Sequence, residues 1–122
     1  MRQAWADTLQ IEVLRCEDYP CIRLTGEGEE RGARVLSGIV EHLVRSGYPR
    51  MIVDTRELRF LDQHAYDVLL EGLGTLENED GLMVIVDNCL PVERSLKLLD
   101  LEQRAHVAST ISQAVAYLDW HE

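Results

Sequence analysis

Two aspartates and a histidine in the middle of the chain, Asp54, Asp62 and His64, have the types and spacing to do chemistry. Paired carboxylates can act as general acid and base or bind Mg²⁺, and a histidine can move protons or bind a metal. No third ligand, phosphate-binding glycine loop or Ser-His-Asp order accompanies them in the sequence. We therefore predict a non-enzymatic chain with no cofactor and no metal, in which His64 faces solvent.

A buried strand and a helix must position these residues. Residues 51–53 form a continuous apolar run that ends at Asp54, which is typical of a strand covered on both faces. Apolar side chains then recur at helical spacing from Tyr66 to Leu73, and Asp62 stands where an N-cap carboxylate accepts a hydrogen bond from a free amide. We expect the strand to end at Asp54 and, after a short polar link, a helix to begin near Asp62.

The rest of the chain continues this alternation of strands and helices. Short apolar runs predict strands at residues 9–13, 21–24, 51–53, 82–86 and 105–108. Apolar stripes at helical spacing predict helices at residues 33–43, 66–73, 92–99 and 111–118. The prediction is one α/β domain over residues 1–122: a mixed sheet of about four or five strands, opening with a hairpin and parallel in its later strands, packed with about four helices.

Composition and charge narrow the classes of function. A formal net charge of −10 argues against nucleic-acid binding, which needs a basic face, and suits a basic partner surface better. The first residues lack the apolar core of a signal peptide, and no stretch has the apolar length needed to cross a bilayer. We expect a cytoplasmic protein that binds neither nucleic acid nor membrane.

The three cysteines, Cys16, Cys21 and Cys89, give neither a disulfide framework nor the repeated close spacing of a zinc site. Cys16 and Cys21 flank a plausible hairpin loop, which could place their sulfurs opposite each other on neighbouring strands. Reduced thiols are the expected state in a cytoplasm.

Three arginines and two tryptophans have side chains suited to partner contacts. Arg50, Arg56 and Arg59 surround the central strand, and we interpret them as scattered solvated charge. Trp5 and Trp120 lie near opposite ends of the chain, where each could anchor a homodimer or partner interface or fold back on its own domain.

The segment of residues 51–70 resembles the central motif of the STAS family, the anti-sigma-factor antagonist domains. In that family a strand ending in Asp is followed by Asp-Ser-Ser-Gly at the start of a helix. The same slot reads Asp62-Gln63-His64-Ala65 in this chain. The resemblance also extends to Leu24-Thr25-Gly26, to the run at residues 82–87, to residues 99–101 at the end of a predicted helix, and to the closing helix around Ala114.

The resemblance implies a regulatory protein-binding domain in signalling and transcription regulation. Its partner would be an anti-sigma factor, an anti-sigma-factor kinase or a related regulator. The binding residues carried over from the motif and its continuation are Asp62, Gln63, His64, Ala65 and Tyr66. In the family the partner kinase phosphorylates the second serine of the tetrad and breaks the complex. That position is His64 here, so serine phosphorylation at this point is chemically unavailable.

Two alternatives to this interpretation stay open. Taken alone, Asp62 is more simply an N-cap with exposed polar neighbours. The same fold could also serve as a small-molecule or lipid-responsive binding module, in which the missing serine would be unimportant.

Overall fold

The computed structural model describes residues 2–6, 9–28, 30–61, 63–87 and 105–121. This part of the chain contains six strands and three helices. The elements are β1 (Arg2–Ala6), β2 (Leu9–Cys16), β3 (Tyr19–Gly28), α1 (Glu30–Arg45), β4 (Arg50–Leu61), α2 (Gln63–Asn78), β5 (Leu82–Val86), β6 (His106–Ala108) and α3 (Ile111–Trp120). The helix predicted at residues 92–99 lies outside the described residues.

The strands form one mixed sheet in the order β1-β2-β3-β4-β5-β6. The first three strands are antiparallel neighbours, and β3, β4, β5 and β6 pair in parallel. The predicted α/β class, opening hairpin and later parallel strands are confirmed. The sheet has one strand more than predicted, because β1 adds an edge through its pairing with β2 rather than through any alternation of its own residues.

Helices α1 and α2 cover one face of the sheet. The predicted stripe of α1 is confirmed, since Ala33, Leu36 and Val40 are buried there against Leu73 and Leu76 of α2. The sheet contributes a further set of buried side chains to this core: Leu9, Ile11, Ile22, Leu24, Met51, Val53, Leu58, Met83 and Ile85. Each such aliphatic side chain contributes about 1.5 to 3 kcal/mol by leaving water.

Helix α3 packs on the opposite face. Its buried residues Ala114, Val115 and Leu118 contact a second core cluster that includes Ile52 and Val84. Because Ile52 alternates with Met51 and Val53 of the first cluster, the two clusters lie on opposite faces. The three helices therefore enclose the sheet from both sides.

Both ends of α3 are fixed by specific hydrogen bonds. The Thr110 hydroxyl accepts from the Gln113 amide at 3.1 Å and caps the start of α3, where the sequence predicts a helix from residue 111. At the other end Arg50 Nη1 donates to the Leu118 carbonyl at 3.1 Å, which corrects the interpretation of Arg50 as solvated charge. Trp120 is 85% exposed, so it does not fold back on the domain.

Strands β3 and β4 run further than predicted. We expected β4 to end at Asp54, but it continues to Leu61, and β3 continues to Gly28. Register shifts occur between the pairs Arg23↔Asp54 and Thr25↔Glu57, and again after Gly26. Such bulges change which side of the sheet a residue faces, so Leu58 shares a core with the odd-numbered Met51 and Val53. Charged residues inside β4 therefore belong to the sheet and do not mark its end.

Glycine at position 32 is required by the closeness of α1 to β2. A Cβ atom there would lie 2.7 Å from Cδ2 and 2.9 Å from Cβ of the buried Leu9, whereas nothing lies within 4 Å of a Cβ at the exposed Gly38. We expect Gly32→Ala to lower the free energy of unfolding by about 1 to 3 kcal/mol. Gly38→Ala, in the same helix, should be neutral or raise it by up to about 1 kcal/mol. Urea unfolding of both variants tests this, and equal stabilisation by both would contradict it.

Candidate functional site

The candidate site lies where β4 passes into α2. Strand β4 ends at Leu61 and α2 begins at Gln63, so the intervening Asp62 lies outside the described residues and its N-cap bond stays a prediction. The backbone of Gln63, His64, Ala65 and Tyr66 forms the first turn of α2. The first amides of a helix have no partner within it and carry the positive end of its dipole, so this turn can receive an anion or an acceptor from a partner.

The long β3–β4 pair sets the position of this junction. Asp54 is the last residue of β4 that pairs with β5, and the rest of β4 pairs with β3 alone, up to Gly28↔Leu61. Gly26 allows the irregular pairing because it adopts a φ of 100° where it opposes Leu58. Since Leu58 is buried in the core, the strand is anchored close to its exit into α2.

Asp54 does not belong to a paired-carboxylate site. It is 1% exposed, and both of its oxygens accept hydrogen bonds from Arg56: Oδ1 from Nε at 2.9 Å and from the backbone amide at 3.1 Å, and Oδ2 from Nη2 at 2.9 Å. Arg23 Nε approaches Oδ2 at 3.7 Å from β3. Arg56 is therefore the partner of a buried carboxylate, which corrects its interpretation as solvated charge.

These contacts keep Asp54 ionised. Burial alone would raise the pKa of its carboxyl group, but the hydrogen bonds and charge of Arg56, together with the charge of Arg23, hold that pKa below its ordinary value. The hydrogen bond to Asp54 in turn raises the pKa of Arg56. A carboxylate held in this way is a poor proton acceptor at neutral pH, so Asp54 is unsuited to general base catalysis.

Thr55, the neighbour of Asp54, offers no accessible hydroxyl. Its side chain is 1% exposed and its Oγ1 donates to the Val86 carbonyl at 3.0 Å. The hydroxyl therefore links β4 to β5 by a hydrogen bond. A modifying enzyme would have to open the sheet to reach it.

Cys16 and Cys21 are both free thiols and lie diagonally across the β2–β3 hairpin. Leu14 opposes Cys21 and Cys16 opposes Tyr19, which corrects the expectation that the sulfurs lie opposite each other. Diagonal neighbours have Cα atoms about 7 to 8 Å apart, which exceeds the usual reach of a disulfide.

The two thiols should differ strongly in reactivity. Cys21 is fully buried, and its burial, together with the neighbouring Cys16 and Asp54, raises its pKa to about 12, whereas Cys16 is partly exposed. Because the thiolate is the reactive form, iodoacetamide at pH 8 should label Cys16 in the native protein and Cys21 only after unfolding. Peptide mass mapping over time checks this, and similar labelling rates at the two residues would contradict it.

The described part of the chain holds neither a metal-binding cluster nor a membrane-spanning helix. No three histidine, cysteine, aspartate or glutamate side chains within it come together as a metal site would require. None of its helices combines the length and apolar character needed to span a membrane.

Comparison with known proteins identifies the class of fold. No protein-family model and no curated protein sequence matches the chain. Solved structures of anti-sigma factor antagonists do match it over nearly its whole length. The chain therefore has the STAS-like fold that the motif at residues 51–70 implied.

Three of these structures show the extent of the likeness. An anti-sigma factor antagonist from Mycobacterium paratuberculosis has a TM-score of 0.81 at 18% identity, with 93% of this chain and 97% of that chain covered. A putative anti-sigma factor antagonist from Thermotoga maritima gives 0.75 at 18% identity, covering 88% and 92%. Unphosphorylated SpoIIAA, an anti-sigma factor antagonist, gives 0.75 at 19% identity, covering 91% and 96%. SpoIIAA of Bacillus is also known in a phosphorylated form.

The structure also brings Asp54 together with two residues, Glu12 and Arg23, that the sequence pattern did not single out. Glu12 opposes Arg23 and Arg23 opposes Asp54, which forms a charged row across β2, β3 and β4. Only the strand register reveals this row, because the three residues are far apart in the sequence. The row lies on the face that carries α3.

Proposed function

We propose that this chain is a non-enzymatic, cytoplasmic regulatory domain that binds a protein partner through Asp62, Gln63, His64, Ala65 and Tyr66. The partner would be an anti-sigma factor or a kinase-like regulator of transcription. The observation that supports the proposal is that β4 ends at Leu61 and α2 begins at Gln63 in an antagonist-like fold, so Gln63-His64-Ala65 form the first turn of the helix.

Affinity at this junction would come from contact area and a few central side chains rather than from covalent chemistry. The start of α2 offers free amides and a positive dipole end, and the rest of the helix offers an adjoining surface. A phosphate placed in such an interface adds charge and breaks it. Gln63 and His64 have no hydroxyl, so binding would be constitutive or regulated elsewhere in the chain.

A kinase assay tests the regulatory part of this proposal. The purified chain is incubated with ATP and an anti-sigma kinase, with SpoIIAA as a positive control, and phosphate is located by mass spectrometry. We expect no stoichiometric phosphate on residues 62–66. Stoichiometric phosphate on any of them would overturn this part of the proposal.

The binding part is tested by capture from a lysate of the native host, with the full chain as bait. Recovery of an anti-sigma factor or kinase-like protein that binds the purified chain directly supports the proposal. A chain that recovers no such protein, and shows no direct binding to the host's anti-sigma kinases, would overturn it.

A further inference from the structure

Among the described residues, α3 covers only part of the face of the sheet on which it packs. The apolar side chains of α3 lie over β5, β6 and the first parts of β3 and β4. The remaining part of this face forms a depression of about 520 Å³. The described residues that line it are Glu12, Arg23, Thr25, Asp54, Arg56 and Glu57.

The boundary between the covered and open parts follows the strand register. Arg23 opposes Asp54, Asp54 opposes Val86, and Val86 opposes Ala108. Val86 and Ala108 belong to the cluster under α3, whereas Arg23 and Asp54 line the depression. The buried carboxylate therefore forms the inner edge of a polar site next to an apolar wall.

Asp54 holds two guanidinium groups at this edge. Its Oδ2 lies 2.9 Å from Arg56 Nη2 and 3.7 Å from Arg23 Nε. Arg56 is committed to Asp54 by two side-chain hydrogen bonds, which fix its plane. The contacts of Arg23 with Asp54 and Glu12, at 3.7 and 3.9 Å, are longer than hydrogen bonds. Arg23 thus keeps donor capacity toward the depression.

Thr25 adds a hydroxyl on the same strand and the same face as Arg23, two residues further along β3. Within the described residues this hydroxyl takes part in no side-chain hydrogen bond, although it lines the depression. A guanidinium and a hydroxyl on one strand make a donor pair for an oxygen-bearing ligand.

The charged side chains that line the depression disfavour multiply charged anions. Arg23 and Arg56 against Asp54 leave one positive charge, while Glu12 and Glu57 bring the sum for the five side chains to −1. A multiply charged phosphate would be repelled by these carboxylates. A planar carboxylate with a single charge matches the fork of Arg23, and Glu12 or Glu57 can accept from an ammonium or hydroxyl group on the same molecule.

We propose that this depression binds a small amino or hydroxy monocarboxylate, with Arg23 and Thr25 contacting its carboxylate and Glu12 or Glu57 its ammonium or hydroxyl group. Asp54 and Arg56 are positioning residues that hold the wall of the site. This inference does not depend on the docking proposal, because the depression and the turn at residues 63–66 are built from different residues.

Titration of the ¹⁵N-labelled full chain tests the site. The probes are individual L-amino acids and L-lactate, with inorganic phosphate and adenosine monophosphate as multiply charged comparisons. At least one carboxylate should give saturable amide shifts at millimolar concentration, centred on residues 12, 23–25 and 54–57. Arg23→Gln should weaken that binding by about tenfold or more. Arg15→Gln should leave it unchanged, because Arg15 is an exposed arginine of the same hairpin outside the depression.

The outcomes are distinct. Absence of saturable shifts with every carboxylate would overturn the site, as would equal affinity in wild type and Arg23→Gln. Binding of phosphate as tight as that of the best carboxylate would overturn the monocarboxylate assignment. Each variant is first shown to be folded by its amide spectrum. None of these results affects capture of a protein partner, so failure of one proposal is separable from failure of the other.

Discussion

Replacing Asp54 with asparagine will lower the free energy of unfolding by about 2 to 3 kcal/mol at pH 7. The substitution keeps the shape of the side chain but removes the charge that Arg56 contacts through two side-chain hydrogen bonds at 2.9 Å. Arg56 is only partly exposed and would lose its charged partner. Urea unfolding measures the difference. Asp18→Asn is the matched control, because Asp18 forms a solvent-exposed pair with Arg15, and its loss should change stability by less than about 0.5 kcal/mol.

The pH dependence of this effect follows from the lowered pKa of Asp54. Near the ordinary aspartate pKa of 3.8, the unfolded chain binds a proton at Asp54 that the folded chain does not. The stabilisation by Asp54 is therefore complete above that pH and is lost as the pH falls through the lower folded-state value. The difference between wild type and Asp54→Asn should shrink below about pH 4. A difference that stays constant into the acid range would contradict the assignment.

His64→Glu will weaken binding of the captured partner by about a hundredfold while changing the stability of the domain by less than about 0.5 kcal/mol. The substitution places a negative charge in the first turn of α2, at the centre of the proposed interface. A charge in a close-packed interface loses its hydration and weakens binding. The helix itself tolerates the charge, because acidic residues are favoured near a helix N-terminus. Isothermal titration calorimetry gives the affinity and urea unfolding the stability.

Ser112→Glu provides the matched control for His64→Glu. Ser112 is exposed in the first turn of α3, so it receives the same new charge at the start of a helix on the other face of the sheet. It should bind the partner like wild type. Equal binding by His64→Glu and wild type, or a loss of stability in His64→Glu that accounts for its weaker binding, would remove the junction from the interface.

The helices and interior strands whose positions follow from the spacing of apolar residues could be predicted. The stripe Ala33, Leu36 and Val40 of α1 and the run of β5 are set by which residues leave water, and they were placed correctly. The edge strand β1 could not be predicted, because its place depends on the ladder of β2 rather than on its own pattern. Pairing of this kind is a property of two segments and is invisible in either alone.

The candidate site, too, could be predicted only in the part that depends on local sequence. The order of strand, tetrad and helix could be predicted from the local resemblance, and β4 and α2 lie on either side of Asp62 as that order requires. The true length of β4 was missed because Asp54 and Arg56 look like the polar end of a strand. Their role depends on Arg23, which the register brings opposite Asp54 from a separate strand. Contacts between distant charged residues cannot be derived from spacing within either strand.

The position of Asp54 directly after the apolar Val53 has a further consequence for how the sheet assembles. Val53 faces the core under α1 and α2, and Asp54 faces the opposite side, so a slip of β4 by one residue would exchange them. The misaligned strand would turn the Asp54 carboxylate toward the aliphatic core, away from Arg23, and would leave Arg23 opposite a valine. Because burying this charge in the core is costly, Asp54 disfavours shifted pairings of β4 during folding and favours a single native register.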